Sequence, residues 1–369
     1  MPIQTVSQAF TNEGLGGFSF RNRVINGDMS IDQRNAGASL AITNNVMTYT
    51  VDRWAIFENA SMAFSAQQST TAPTGFVNSL LVTTTTAASA GSSDRSQLEQ
   101  RIEGLNVGDL GWGTANAKTI TLSFWIRSSL TGQFGGALQN NNGSRAYPFS
   151  FTINSANTFE YKTITIAGDT SGTWLTSNGI GLAVIFDLGM GSSLLGTAGA
   201  WSGSDFRGAT GDTKLSGTLN ATLYLTGVQL EVGSVATPFE RRAYGMELQL
   251  CQRYFEQWDG GSAYCPVPTG HIISGPSWTF SAVPRVKKRT VPTVTLSSSS
   301  GGTVFSSYGT NSSGSTFPWS GSLLIDSGAT GDVGIQVDSA LTGTSAGSPG
   351  TCVHNILRAN QWIRFSAEL

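Results

Sequence analysis

Charge is scarce in this chain. Asp, Glu, Lys and Arg together make up 12% of 369 residues, about half the usual share of a soluble protein. The formal net charge is −2, so no overall field draws in nucleic acid or an anionic membrane. There are two histidines and three cysteines. His271 and His354 give little material for a catalytic base or a His-rich metal site. Cys251, Cys265 and Cys352 cannot all pair with one another, and no Cys-x-x-Cys spacing occurs, so neither a disulfide framework nor a zinc site is expected. Long apolar runs are missing too; none approaches the ~18–20 residues of a membrane-spanning helix. The opening MPIQTVSQAFTNEGLGG has no basic start and no apolar core, and does not read as a signal peptide. Repeats of solenoid, propeller or β-helix type are absent.

What stands in place of charge is Gly, Ser, Thr and Asn. These residues suit tight turns, where Gly and Asn accept positive φ, and suit a helical bundle poorly. Hydrophobic residues still make up 39%, enough for packed cores. Their spacing is period two. In KTITLSFWIRS, Ile120, Leu122, Phe124 and Ile126 share one face, while Thr119, Thr121, Ser123, Trp125 and Arg127 share the other. Phe149, Phe151 and Ile153 repeat the pattern, as do Leu182, Val184, Phe186 and Leu188. Leu219, Ala221, Leu223 and Leu225 alternate in the same way until Gly227. There the phase flips to Val228 and Leu230, which predicts a β-bulge at the glycine.

The chain therefore reads as all-β: a jelly-roll-like β-sandwich over 21–240, a short helix over 241–257, and a second, smaller β domain over 258–369. Residues 1–20 hold too little apolar matter for a core and read as an attachment segment. Long loops are expected at 103–117, 131–146 and 189–217. In the helix, Met246, Leu250 and Tyr254 form one stripe, and Leu248, Cys251 and Phe255 a neighbouring one, an apolar surface consistent with an oligomer axis. In the distal domain, Val294 with Leu296, Leu323 with Ile325, Ile335 with Val337 and Ile363 with Phe365 are the inward pairs. The basic run VPRVKKRT (283–290) reads as an edge strand guarded by charge.

Catalytic chemistry finds no pattern to stand on. GTSAG (343–347) matches Gly-x-Ser-x-Gly around Ser345, but neither a strand before it nor a helix after it is expected. A glycosidase needs two carboxylates at a set separation; Asp94, Glu99, Glu103, Asp109, Asp187, Asp205 and Asp212 are available, without a pairing that spacing can choose. The expectation is a protein that is not an enzyme. No cofactor is expected beyond a structural calcium, for which Asp28, Asp205 and Asp212 are the candidate ligands; capping of turns is the plainer role for them. Carbohydrate binding is the sharpest expectation. Sugars present C–H faces that pack on flat rings, and this chain places aromatics in polar loops. Trp112, Tyr147, Trp174 and Trp201 do so in the first domain. Trp258, Tyr264, Trp278, Tyr308 and Trp319 do so in the distal part, all but Trp278 taken as glycan candidates. Trp54 and Trp362 lie in strand-like context and belong to packing.

NRVINGDMSIDQRNAGAS (22–39), YTVDRW (49–54) and VQLEVGSVATPFERRAYGMELQLCQRYF (228–255), with SAEL at 366–369, resemble a family of bacteriophage tail-fibre and related virion proteins. The resemblance implies a homotrimer on the virion. Residues 1–20 would then attach to other virion proteins, a sandwich similar to carbohydrate-binding modules would form the shaft or knob, and a distal unit would meet host surface polysaccharide. It implies neither nucleic-acid binding nor membrane insertion, and it transfers no catalytic residue. The rival roles are a head-decoration, collar or baseplate fitting and a glycan-degrading tailspike.

Overall fold

The computed structural model describes residues 20–259, 284–297 and 361–369, together with the strand backbone of seven further segments. The chain divides after Ala243 into two compact units. Expectations for residues 1–19, and for Tyr264 and Trp319, fall outside the described residues, as do the side chains of Trp278 and Tyr308.

The first unit is a β-sandwich of two six-stranded sheets, with antiparallel pairing throughout. Sheet one contains β1 (Leu40–Ala41), β4 (Ala63–Ser69), β5 (Ser79–Thr86), β7 (Ile120–Ser128), β10 (Glu160–Ile166) and β14 (Thr222–Val232), in the order β1-β4-β5-β14-β7-β10. Sheet two contains β2 (Thr48–Tyr49), β3 (Ala55–Glu58), β6 (Ser96–Glu103), β8 (Gly132–Gln139), β9 (Ala146–Ile153) and β11 (Ile180–Asp187), in the order β2-β3-β6-β11-β8-β9.

Alternation explains the layers. Ile120, Leu122, Phe124 and Ile126 from sheet one and Leu182, Val184 and Phe186 from sheet two are all buried in one core. Phe124 and Phe149 meet Phe186 edge-on at 5.1 and 6.0 Å, and Phe151 lies 5.1 Å from Phe124 and 6.5 Å from Phe149, the geometry aromatic pairs favour. The phase flip at Gly227 is a bulge: the β14–β7 register shifts between Thr226 and Gln229, and Gly227 sits at φ +62°.

Three expectations are corrected. Leu219 is 57% exposed rather than inward, because it precedes β14, in a turn where Asn220 takes φ +61°. Residues 131–146 are not one loop; 132–139 form strand β8. Its glycines signal close approach: a Cβ on Gly136 would lie 1.9 Å from the Ile185 carbonyl oxygen, and one on Gly135 would lie 2.4 Å from that of Phe149. The 189–217 segment is a loop for most of its length, but it lies folded over the outer face of sheet two. Two short parallel strands, β12 (Leu195–Gly196) and β13 (Gly208–Ala209), organise it. Leu194 and Leu195 pack on Ala183, Ile185 and Met190, Gln139 donates to Asp205 at 2.7 Å, and Lys214 pairs with buried Asp187.

The stretches 22–54 and 228–242 act as a clasp. The side-chain amide of Asn22 donates to the Val228 carbonyl at 2.9 Å, and its oxygen accepts the Leu230 N–H at 3.0 Å. Glu240 accepts the N–H groups of Arg21 and Asn22. Arg242 donates to the Asn22 carbonyl. Asn26, at φ +56°, donates to the carbonyls of Ile31 and Asp52, and its own carbonyl accepts the Trp54 indole N–H at 3.0 Å. Gly27 is pressed against β14, where a Cβ would fall 2.2 Å from the Val228 oxygen. These contacts close the sandwich.

In the second unit the helix, α1 (Tyr244–Gln252), is shorter than expected. It buries Glu247, Cys251 and Gln252, and Met246 is exposed. Tyr254 lies beyond its end and Phe255 opens strand β15 (Phe255–Asp259). Strands β16 (Cys265–Ser274) and β17 (Ser277–Ser281) follow, then β18 (Thr293–Leu296), β19 (Phe305–Gly309), β20 (Ser315–Thr316), β21 (Leu323–Ser327), β22 (Val333–Val337), β23 (Cys352–Leu357) and β24 (Trp362–Ser366). They form a three-stranded sheet, β15-β24-β18, and a seven-stranded sheet, β20-β19-β23-β16-β17-β22-β21. Val294, Ile363 and Phe365 are buried as the pattern requires.

The basic run is not an edge strand, since 284–292 hold no strand pairing. Lys288 is buried and its ammonium reaches Glu256 at 2.6 Å. The Arg289 guanidinium donates to the carbonyls of Ala367 and Glu368.

Candidate functional site

Four of the eight glycan candidates converge in the first unit, from parts of the chain far apart in sequence. Two one-turn 3-10 segments, 104–106 and 108–110, end at Gly111 in a left-handed conformation, and Trp112 follows directly. Tyr147 comes from β9, and Trp174 and Trp201 from the loops before β11 and between β12 and β13. Trp112 meets Trp174 at 4.7 Å and Trp201 at 5.2 Å between ring centroids; Trp174 meets Trp201 at 5.5 Å and Tyr147 meets Trp201 at 5.2 Å. All four contacts are edge-to-face.

Each indole N–H is satisfied by backbone. Trp112 donates to the Lys118 carbonyl, Trp174 to that of Ser171, and Trp201 to that of Ala167, at 2.8, 3.1 and 2.7 Å. The rings are thereby fixed in orientation. Trp112 and Tyr147 are buried, while Trp174 and Trp201 stay partly exposed. Burial pushes the Tyr147 phenol pKa upward.

The rim around the cluster is polar and short in free charge. Asn141, Asn142, Ser144, Ser171 and Thr173 are exposed. Arg145 grips buried Asp169 through two bonds of 2.6 and 2.9 Å, a fork-on-carboxylate pairing that holds geometry well. It raises the Arg145 pKa above its ordinary value, chiefly through that hydrogen bonding. Asn140 ties the rim together by donating to Ser144 and to the Thr173 carbonyl. The pocket beside Trp112 and Trp174 is only about 20 Å³, room for about one water. A ligand the size of a sugar does not fit in it.

The other candidates fare differently. Trp258 is corrected to a packing role: it is buried, its indole donates to Glu256 at 2.8 Å, and its ring lies 5.1 Å from Phe365. Of the calcium candidates, Asp28 accepts a turn N–H from Ser30, and Asp205 pairs with Arg207 at 2.9 Å. Asp212 accepts the Ala209 N–H at 3.0 Å and a bond from Gln133. Among the described residues no group of three or more His, Cys, Asp or Glu is arranged to hold a metal ion. Most of the hydrolase candidates are engaged as well. Asp109 pairs with Arg23, Glu99 with Arg101 and Asp187 with Lys214, while Asp94 accepts the Gly91 N–H.

Asp212 carries a measurable consequence. Burial pushes its pKa up to about 6 from an ordinary 3.8, partly offset by the Ala209 N–H. The folded unit therefore takes up a proton that the unfolded chain does not, so stability rises as pH falls through 6 toward 4. Between pH 7 and pH 5 the gain should be about 1 kcal/mol. Asp187 and Glu58 are displaced in the same direction by burial. Asp212→Asn should thus shrink the rise in melting temperature across that interval, and thermal melts of the two proteins at both pH values check it.

No protein-family model matches the chain, and no curated protein matches it. Among solved structures, the enzymatically active domain of tailspike protein 4 from bacteriophage CBA120 is similar over 57% of this chain, at 11% identity and a TM-score of 0.30. That match spans 21% of the tailspike chain. A family 11 carbohydrate-binding module from Clostridium thermocellum is similar over 54% of this chain and 98% of its own, at 14% identity and a TM-score of 0.26. A CBM4 structure is similar over 56% of this chain and 98% of its own, at 14% identity and a TM-score of 0.30.

Sequence reasoning missed the outer face of sheet one. Trp125 and Tyr161 lie opposite each other there, 5.3 Å apart between ring centroids. The signal was legible for Trp125, which alternation already put on the outward side. Tyr161 needed the β10–β7 register.

Proposed function

We infer that this protein is a bacteriophage virion component, a short tail fibre, whose sandwich binds host surface glycan at the tryptophan cluster. One observation carries the reading. Trp112, Tyr147, Trp174 and Trp201 come from separate segments to one place, two rings stay partly exposed, and the rim offers amides and hydroxyls. The rings present apolar faces to sugar C–H groups, and the fixed indoles lose little freedom on binding. The resemblance of 22–54 and 228–255 to tail-fibre proteins supports the virion setting. In that reading the chain is a homotrimer, residues 1–20 attach it to the particle, and several weak sites act together by avidity.

A structural fitting is the second reading. The satisfaction of all three indole N–H groups by backbone favours it, since a clamp that pins loops looks the same. Trp174→Ala separates the two on an array of bacterial surface glycans. Glycan binding predicts a parent protein that binds on the array and a variant weaker by about tenfold, equivalent to ~1.4 kcal/mol. A clamp predicts a blank array for the parent protein and a clear drop in melting temperature for the variant.

A further inference from the structure

The outer face of sheet one carries a second constellation. Register sets it out in two rows across three strands. Arg127 on β7 lies opposite Tyr224 on β14, and its guanidinium sits 4.9 Å from the Tyr224 ring centroid and 5.9 Å from that of Phe159. Two residues along β7, Trp125 lies opposite Tyr161 on one side and Thr226 on the other. Two rings thus hold the guanidinium and two more pair one row along, on a face where Tyr161 is 44% exposed and Thr163 and Thr165 are exposed.

Arg127 is the unusual member. It forms neither an ion pair nor a hydrogen bond among the described residues; its contacts are the two rings, and its Nε is buried without a partner. Other arginines of this unit do better. Arg145 holds Asp169, Arg101 holds Glu99, Arg34 holds Asp52 and Arg207 holds Asp205. A guanidinium stacked between rings is fixed in orientation and keeps its charge. Nε is shut off by burial, but the two Nη groups are unspent, and the end of the fork is set for a planar anion that takes two parallel N–H bonds, one from each. The flat rings of Trp125 and Tyr161, one step along the strand and about 7 Å away, offer a platform for a sugar ring attached to that anion.

We propose that this face is a second glycan-binding surface, selective for acidic sugar residues of the uronate type. Arg127 takes the carboxylate, and Trp125 and Tyr161 take the pyranose face. The inference rests on the glycan-binding reading of the protein, and it adds a class of sugar that the tryptophan cluster has no unpaired cation to select.

The test uses the full chain and calorimetry at low ionic strength. The probes are short oligogalacturonates and oligomannuronates, each beside its carboxyl-reduced form. The parent protein should bind the acidic forms at least about tenfold more tightly than the reduced ones, as expected of a charge-assisted bidentate contact. Arg127→Gln should erase that preference and leave unchanged any neutral glycan binding that depends on Trp174. Arg127→Lys, which keeps the charge but not the fork, should retain part of it, and melts of both variants confirm folding. The proposal is overturned if the parent treats acidic and reduced forms alike, or if Arg127→Gln keeps the preference. Self-association of the parent that Arg127→Gln dissolves would also overturn it, because the face would then belong to a second copy. Loss of neutral binding with the acidic preference intact would sink the tryptophan-cluster reading and leave this one standing.

Discussion

Lys288→Met should destabilise the second unit by about 3–5 kcal/mol, the usual cost of stranding a buried charge. Lys288 and Glu256 are both fully buried and 2.6 Å apart. The ammonium also donates to the Gln252 carbonyl, so it joins the end of α1 to β15. Burial depresses the Lys288 pKa, with Glu256 opposing that fall. Glu256 does more than balance charge: it accepts the Trp258 indole and the Arg285 backbone N–H as well. Removing the lysine leaves that carboxylate desolvated, with only the largely exposed Arg285 guanidinium, 3.6 Å away, to offset its charge. The double variant Lys288→Met, Glu256→Gln should recover much of the loss, since glutamine keeps an acceptor for both donors without the charge. Amide hydrogen exchange over 254–258 and 362–366 in the full chain reads this directly. Equal protection in the parent and the single variant would show that the pair is dispensable.

Gly136→Ala should be nearly as damaging to the first unit. The added methyl would sit 1.9 Å from the Ile185 oxygen and 2.8 Å from the Phe149 ring. The first obstacle is backbone of the neighbouring strand, so no side-chain rotation relieves it. Overpacking of this kind costs typically about 1–3 kcal/mol and sometimes more; here β8 would have to part from β11, and the upper end is expected. Urea unfolding that gives parent and variant the same midpoint would contradict the close approach.

Those same glycines mark where the sequence was hard to read. GQFGGALQ has the composition of a loop, yet Phe134 and Leu138 point into the core on either side of Gly136. What made it a strand was a neighbour that only the fold supplies. Where side chains alone decide, as in Ile120 to Ile126 or at the Gly227 phase flip, periodicity sufficed. The helix was overextended because Tyr254 and Phe255 fit a 3.6-residue stripe, while their burial comes from β-sheet packing. For the site, polar flanks drew attention to Trp112, Tyr147, Trp174 and Trp201, and the fold brings these four rings together. The flanks could not tell that assembly from Trp258, whose polar flanks hide a buried ring. That Arg127 finds rings but no ion pair or hydrogen bond among the described residues was invisible, since it depends on which residues stand across two strand registers.

Strand β14 has a consequence for how the molecule is made. It is the last strand of its sandwich in the chain, yet it lies between β5 and β7. During synthesis those two strands must wait with open edges until residue 232 has left the ribosome. The Asn22 clasp cannot shut before then either, because its partners are Val228 and Leu230. Such long-range closure makes for slow folding and for nascent chains prone to pair with each other. A host deprived of chaperones should therefore yield this protein as aggregate well before its finished fold becomes unstable.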